Sequence, residues 1–538
     1  MFITIALIPI FKTIALKTGI VDMPNSRKVH AVPMPKIGGI AIACGTLVPI
    51  LFVNGFHANG QFLWSLIGGS AIIVLFGFLD DMKNLGYKTK FLGQIIAALI
   101  VIILGELKIT HLSLGQPGVY SIPEFIALPL TLITIVGVTN AINLADGLDG
   151  LAGGISLISF TCIGFLAFCC ENMVVAVFSA AMVGGLFGFL RFNTFPATLF
   201  MGDAGSQLIG FLAITLSLAL TQDYTPLSPL LPLLLIGLPI LDTLAVMIVR
   251  LSRGISPFSA DKNHFHHRLM GLGLYHTEAV FVIYVIQTIF VGFAFFFRFY
   301  PEWTLLSFYG VFSGVIFSIV FWGHKKGFHF QRPGLLDRTI KRHFTIIKKE
   351  QTLIRLSFGA VELIAPIVLI FNCFLPMRIP SYVSLMCLIF LIVTIYAALF
   401  KKEWVGGALR LSLYLLIPFL VYTGKTELAH WATHTILRYC NAIYGILALL
   451  VIFSIKFTRR KKGFVVSPLD YIVLVAALVI PNLPDPRIQQ LQMGMMATQI
   501  IVLLFTFEVW ICELRGRLAR VEVTAIAALL VVAGRGLM

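Results

Sequence analysis

The chain has 538 residues, 58% of them hydrophobic and only 12% charged. Soluble domains carry about 25% charged residues, so a water-soluble globular protein is excluded and a polytopic membrane protein is implied. The net charge of +16 reads as topology rather than nucleic-acid binding, because Lys and Arg accumulate in cytoplasmic loops.

A spanning helix needs about 20 apolar residues, and by that measure the chain carries about seventeen. The expected segments are 2–19, 38–54, 63–79, 91–107, 123–139, 151–170, 173–190, 206–221, 228–250, 278–297, 304–322, 355–375, 381–400, 405–423, 441–457, 468–483 and 493–513. A last apolar stretch, 521–533, is too short to count. Only helical bundles and closed barrels satisfy a backbone in lipid, and runs of this length mean helices. The expected fold class is therefore an all-α polytopic bundle.

The first segment is short for a span and is interrupted by Pro9 and Lys12. It is either a tilted, thinned helix or a sign that the true start lies upstream. The loop from Asp22 to Gly39 is stiffened by Pro24, Pro33 and Pro35 and made basic by Arg27, Lys28 and His30. On its own it also reads as an ordinary positive-inside loop facing anionic lipid.

Asp80-Asp81 closes the third apolar run. Charge at the edge of hydrocarbon is costly and usually functional. Adjacent carboxylates repel, and a metal or a proton relieves them. The plain alternative is a helix end. Lys83, Lys88 and Lys90 follow and suit phosphates, with Gln94 four residues after Lys90 on the same helix face.

Asn140, Asn143, Asp146 and Asp149 recur every three residues, which sets them along one face. Gly147 and Gly150 loosen the chain there. Such a row can hold a base, a sugar or a cation, whereas helix capping explains one of the four. Asp203 sits in Phe200-Met-Gly-Asp-Ala-Gly-Ser206. Alone it reads as an N-cap. Beside Asp80 and Asp81 it reads as a ligand of a shared divalent ion, since magnesium takes one or two carboxylates plus phosphate oxygens.

His264, His266 and His267 stand beside Asp261, Lys262 and Arg268. Zinc is disfavoured because no further ligand is well spaced. Imidazole and cationic donors suit a pyrophosphate, and Arg250 and Arg253 extend the positive wall. The eight cysteines are scattered and suggest no disulfide framework.

Residues 323–353 are the most polar stretch and mark a boundary. The expected domains are 1–325, a polar cytoplasmic linker 326–353, and a multi-span unit 354–538 without a motif. No P-loop or kinase signature occurs. Metal-assisted phosphoryl transfer involving a lipid fits the inventory.

Together the clusters resemble the polyprenyl-phosphate N-acetylhexosamine-1-phosphate transferases of bacterial envelope synthesis. Asp80-Asp81-Met-Lys-Asn-Leu85, the Asn140 to Gly150 row, Phe200 to Ser206, His264-x-His266-His267 and the Asp22 to Gly39 loop carry the resemblance, which covers about residues 1–325. It implies a ten- or eleven-helix catalytic unit in the cytoplasmic membrane, with its active site on the cytoplasmic face. It further implies transfer of a sugar 1-phosphate from a UDP-amino sugar to undecaprenyl phosphate, with UMP leaving. The implied cofactor is Mg²⁺, with Mn²⁺ as the alternative. Asp80, Asp81 and Asp203 would be the catalytic residues: Asp203 and Asp146 would hold the metal, and Asp80 and Asp81 would lie beside it and the lipid phosphate, one of the two as a candidate base. Asn143 and Asp146 would hold the nucleotide or the metal, and His264, His266, His267 and Lys90 the pyrophosphate, with Asn140, Asp149 and Arg253 as further substrate-binding candidates.

The stretch Ser256-Pro-Phe-Ser-Ala-Asp261-Lys-Asn-His264 resembles the branch using UDP-N-acetylglucosamine. Phe265 interrupts the three consecutive histidines typical of the phospho-MurNAc-pentapeptide transferases. Priming of O-antigen, exopolysaccharide or teichoic acid is favoured. Membrane lipids and a second copy of the chain complete the candidate partners. A transporter would place its ionisable groups near the bilayer midplane, and a lipid phosphatase would have no use for the asparagine row. The residues after 354 leave their function open.

Overall fold

The structure is a computed structural model that describes residues 1–23, 33–51, 60–112, 120–222, 225–256, 264–328, 351–400, 402–457, 493–514 and 518–537. Arg27, Lys28, His30 and the expected span 468–483 lie outside the described residues. So do Asp261, Lys262 and Asn263.

Contacts divide the chain into two units, Met1–Gln331 with Ser467–Leu469, and Arg332–Val466 with Asp470–Met538. The chain is an all-α polytopic bundle. Among the described residues, twelve helices are long and apolar enough to cross a membrane, against about seventeen expected segments.

In the first unit the helices are α1 (Phe2–Thr18), α2 (Gly38–Leu51), α3 (Gly60–Lys83), α4 (Tyr87–Leu99), α5 (Glu124–Ala145), α6 (Leu151–Cys169), α7 (Met173–Asn193) and α8 (Gly202–Gln222). There follow α9 (Leu231–Leu235), α10 (Gly237–Ser252), α11 (Phe265–Gly271), α12 (His276–Phe296) and α13 (Glu302–Lys325). α4 continues as a π-helical turn, Ile100–Leu104.

α8 is the centre of this unit. Every residue from Ala204 to Gln222 is buried, among α2, α3, α5 and α6. Its polar residues survive there by bonding to their own helix: Thr215 Oγ1 donates to Phe211 O at 2.7 Å and Ser217 Oγ to Ala213 O at 2.6 Å. Gln207 accepts from Gln94 of α4 at 3.1 Å, tying two apolar helices with an amide pair.

The segment expected as one helix over 228–250 is two. Pro239 has no N–H to offer the Leu235 carbonyl four residues back. That carbonyl accepts instead from Ser159 Oγ at 2.7 Å and Gln287 Nε2 at 2.8 Å. The chain turns at Ile236 and starts α10 afresh. The connection expected over 251–277 likewise contains α11.

Two short antiparallel pairs cap loops: β1 (Val21–Asp22) with β2 (Met34–Pro35), and β3 (His111–Leu112) with β4 (Tyr120–Ser121). Next to the first, Phe200 N–H donates to Pro35 O at 2.8 Å and Gly38 N–H to Phe200 O at 3.0 Å. The rigid first loop is thus laced to the strand-like approach to α8.

The second unit contains α14 (Gln351–Phe374), α15 (Ser381–Phe400), α16 (Lys402–Thr426), α17 (His434–Phe457), α18 (Met493–Leu514) and α19 (Ala519–Leu537). The stretch judged too short at 521–533 is a full helix. Its flanking charges find partners: Arg520 pairs with Glu362 at 2.5 Å and Arg535 Nη2 donates to Pro376 O at 2.7 Å. The core of this unit is apolar, with Leu409, Leu413, Ile417 and Leu420 of α16 buried. Beside it, among the described residues, Arg410 Nε lies 3.1 Å from Glu508 Oε2.

Candidate active site

The site is assembled from helix ends. At Gly77, α3 passes so close to α8 that a Cβ would lie 2.5 Å from Ala204 Cα. This close crossing of small residues brings the next turn of α3 against the first turn of α8. Asp81 occupies that junction. Its Oδ1 accepts the N–H of Asp203 at 2.9 Å and its Oδ2 that of Ala204 at 3.1 Å. These are amides that a helix start leaves without partners of its own. Gly202 makes the preceding turn at φ +74°, and a Cβ there would lie 2.5 Å from Asp81 Oδ2.

Asp203 is then held on both sides. Asn143 of α5 donates through Nδ2 to Asp203 Oδ1 at 2.7 Å and to Ser206 Oγ at 2.8 Å. Lys90, in the first turn of α4, places Nζ 3.3 Å from Asp203 Oδ2 and 2.5 Å from Asp80 Oδ2. Asp80 is buried, and its Oδ1 has no hydrogen-bond partner among the described residues. Four helices, α3, α4, α5 and α8, thus deliver Asp80, Asp81, Lys90, Asn143 and Asp203 to one place.

Asp146 follows the end of α5. Burial pushes its carboxyl up to about 7, and the charges of Asp203, Asp81 and Asp149 add to the rise. Asp149 is turned to the protein: its Oδ2 accepts Ala197 N–H at 2.9 Å, and its own N–H donates to His276 Nε2 at 3.1 Å. Gly150, at φ +79°, closes the turn. Its N–H donates to Asn193 Oδ1 at 2.9 Å, and its carbonyl accepts Tyr284 O–H at 2.6 Å. Asn140 is half-buried, and its side chain makes no hydrogen bond among the described residues.

The three histidines lie in a row but differ in burial and partners. His264 is buried, with Nδ1 3.0 Å from Asp242 Oδ2 of α10. His266 is buried against the 146–150 turn, where a Cβ on Gly147 would lie 2.4 Å from His266 Nε2. Burial, with the neighbouring His267, pushes its pKa down to about 3, so it is neutral at pH 7. His267 is exposed, its ring 4.2 Å from that of His266. Arg250 is buried at the end of α10, whereas Arg253 is exposed in the turn beyond it. A cavity of about 20 Å³, lined by residues that include Ala145, Asp242, Phe265 and His266, has room for one water.

Sequence reasoning missed Asp242, Asn193, His276 and Tyr284. Asp242 carried a signal, a lone carboxylate in an apolar run. The other three act through backbone groups of a turn that only folding brings to them.

Among the described residues, no group of three or more His, Cys, Asp or Glu side chains is close enough to enclose a metal. Magnesium does not need such a cage; it takes one or two carboxylates and completes its shell with water and phosphate. The donors present are hard oxygens. Asp80 holds an unpartnered buried oxygen, and Asp146 is electrostatically strained by its acidic neighbours. A divalent cation would relieve both, so the residues fit one.

A sequence profile described as glycosyl transferase family 4 matches residues 63–221, the span from α3 to α8 that supplies these carboxylates. A Bacillus subtilis (strain 168) protein named "Probable undecaprenyl-phosphate N-acetylglucosaminyl 1-phosphate transferase" is 40% identical over 284 residues, covering 52% of this chain and 78% of the relative. The chain belongs to glycosyl transferase family 4. An Escherichia coli (strain K12) relative, "Undecaprenyl-phosphate alpha-N-acetylglucosaminyl 1-phosphate transferase", is 32% identical over 343 residues, 62% of this chain and 89% of its own. A Mycolicibacterium smegmatis (strain ATCC 700084 / mc(2)155) relative, "Decaprenyl-phosphate N-acetylglucosaminephosphotransferase", is 33% identical over 320 residues, 53% of this chain and 78% of its own. Membership of glycosyl transferase family 4 gives the helix-end cluster a transferase context.

Proposed function

We propose that this chain transfers N-acetylglucosamine 1-phosphate from UDP-N-acetylglucosamine to undecaprenyl phosphate at the cytoplasmic face of the bacterial inner membrane. The observation that carries the reading is the meeting of Asp80, Lys90, Asn143 and Asp203 at helix ends. The relatives' names supply the reaction class and favour this sugar over a MurNAc-pentapeptide.

In this reaction an oxygen of the lipid phosphate forms a bond to the sugar-linked phosphorus. The bond from that phosphorus to the UMP oxygen breaks, and UMP leaves with the electron pair. Mg²⁺, held by Asp203 and Asp146, would supply Lewis-acid polarisation of the diphosphate. Asn143 fixes the Asp203 carboxylate, and Asp81 fixes the helix start that carries it. Lys90 brings an ammonium to the same carboxylates, where phosphate oxygens arrive. His267 stands at the exposed end of the histidine row and donates to a phosphate oxygen. No general base is required, because a phosphate monoester is largely ionised near pH 7. The product would begin a lipid-linked envelope polysaccharide.

The test uses purified full chain in detergent with undecaprenyl phosphate and Mg²⁺. UDP-GlcNAc, UDP-GalNAc and UDP-MurNAc-pentapeptide are supplied separately, and UMP release is followed. UMP from UDP-GlcNAc, lost with EDTA, is the expected result. Release only from another donor overturns the sugar, and release from none overturns the reaction.

A further inference from the structure

Asp242 lies on α10 in the stretch Gly237 to Val249, which is apolar apart from Asp242 and Thr243, and is buried. A carboxylate in such a place is costly unless every oxygen is engaged. Both are. Oδ1 accepts the N–H of Phe265 at 2.8 Å, and Oδ2 lies 3.0 Å from Nδ1 of His264. The first contact starts α11; the second fixes a ring. A carboxylate facing Nδ1 favours the tautomer with the proton on Nδ1. The His264 ring stands parallel to that of His266, at 8° and 6.0 Å, and His266 abuts Gly147.

We propose that Asp242 is a positioning residue for the histidine row. It holds His264 with Nδ1 protonated and Nε2 turned away from α10, so that the start of α11 and its histidines stay registered against the 146–150 turn. The inference rests on the transferase reading for its consequence in turnover, though not for the tautomer itself.

Asp242→Asn separates the two contacts. The amide oxygen still accepts the Phe265 N–H, so α11 keeps its start. The amide nitrogen now faces Nδ1 as a donor, which drives the His264 proton to Nε2. The structural cost is small and the chemical change is specific.

The first measurement is ¹⁵N NMR of histidine-labelled full chain in detergent, with His264→Asn used to assign the ring. The His264 signal should report a proton on Nδ1 in the parent and on Nε2 in Asp242→Asn. A proton on Nε2 in the parent overturns the proposal, whatever the enzyme does. The second measurement is UMP release in a double-mutant cycle. Asp242→Asn should lower kcat/KM by about 10- to 100-fold, the range for a group that orients a functional histidine. In the His264→Asn background it should change it by less than about twofold, since coupled positions are not additive. An equal loss in both backgrounds, or none in the parent, overturns the positioning role. A parent that releases no UMP overturns the transferase reading instead, and the NMR result still decides the tautomer.

Discussion

Asp81 accepts the backbone N–H of Asp203, one helix start held by the end of another at 2.9 Å. A side chain so engaged is a structural clasp before it is a reagent. Asp81→Ala should destabilise the chain by about 1–2 kcal/mol, the cost of losing such a cap, and should lower turnover together with it. Asp81→Asn keeps one acceptor and should recover most of the stability. Thermal unfolding in detergent reads the first effect and UMP release the second. Equal melting of the parent and Asp81→Ala would contradict the clasp.

Asp203→Asn should abolish Mg²⁺-dependent turnover, by about 100-fold or more, the scale for removing a charge-stabilising group from an active site. Membrane insertion should be intact, since the amide is the same size and its one acceptor oxygen can still serve Asn143 or Lys90. A full Mg²⁺ titration of UMP release checks this, and surviving activity would contradict the metal assignment.

Gly77→Val should act at a distance from the chemistry. Its side chain meets the backbone of α8 at Ala204, which cannot yield as a flexible side chain would. Overpacking of this kind costs about 1–3 kcal/mol. The melting temperature should fall, and kcat/KM should fall with it as Asp81 loses the α8 amides.

The acidic cluster predicts a pH dependence with a definite sign. Asp146 titrates at about 7 in the fold, above its ordinary value. Its contribution to stability is therefore full below about pH 4 and is lost as pH rises through 7. His266, pushed down to about 3, works oppositely: its contribution is present above about pH 6.5 and is lost as pH falls towards 3. From about pH 6.5 Asp146 contributes a downward slope, which levels off above its folded value of about 7. In EDTA the melting temperature should drop as pH rises to about 7, Mg²⁺ should restore it, and Asp146→Asn should lessen the drop. A slope unchanged in Asp146→Asn would contradict the assignment.

Much of the site is legible in the sequence because its residues sit where apolar runs stop. Asp80-Asp81, the Asn140 row and Asp203 interrupt hydrophobic segments at helix ends, and hydrocarbon makes such interruptions conspicuous. What is not legible depends on pairing across helices. Nothing local distinguishes Asp149, which anchors a loop through Ala197, from Asp146 three residues earlier. Nothing local in the sequence shows that Asp242 faces Nδ1 of His264. The break at Ile236 needs Ser159 and Gln287, more than forty residues away in each direction, to satisfy the Leu235 carbonyl. The helix over Ala519–Leu537 looked short because Arg520 and Arg535 shorten an apolar run, and their partners lie on α14 and in the loop after it.

The encasement of α8 sets the route by which reactants arrive. Among the described residues this helix is buried from Ala204 to Gln222, whereas Asp203 at its tip is partly exposed, so the tip is where a reactant meets it. A long-chain reactant must leave its tail among the lipids outside the bundle and bend its head across the interface to the cluster. Chain length past the first few units then lies beyond the reach of the site, and discrimination falls on the headgroup.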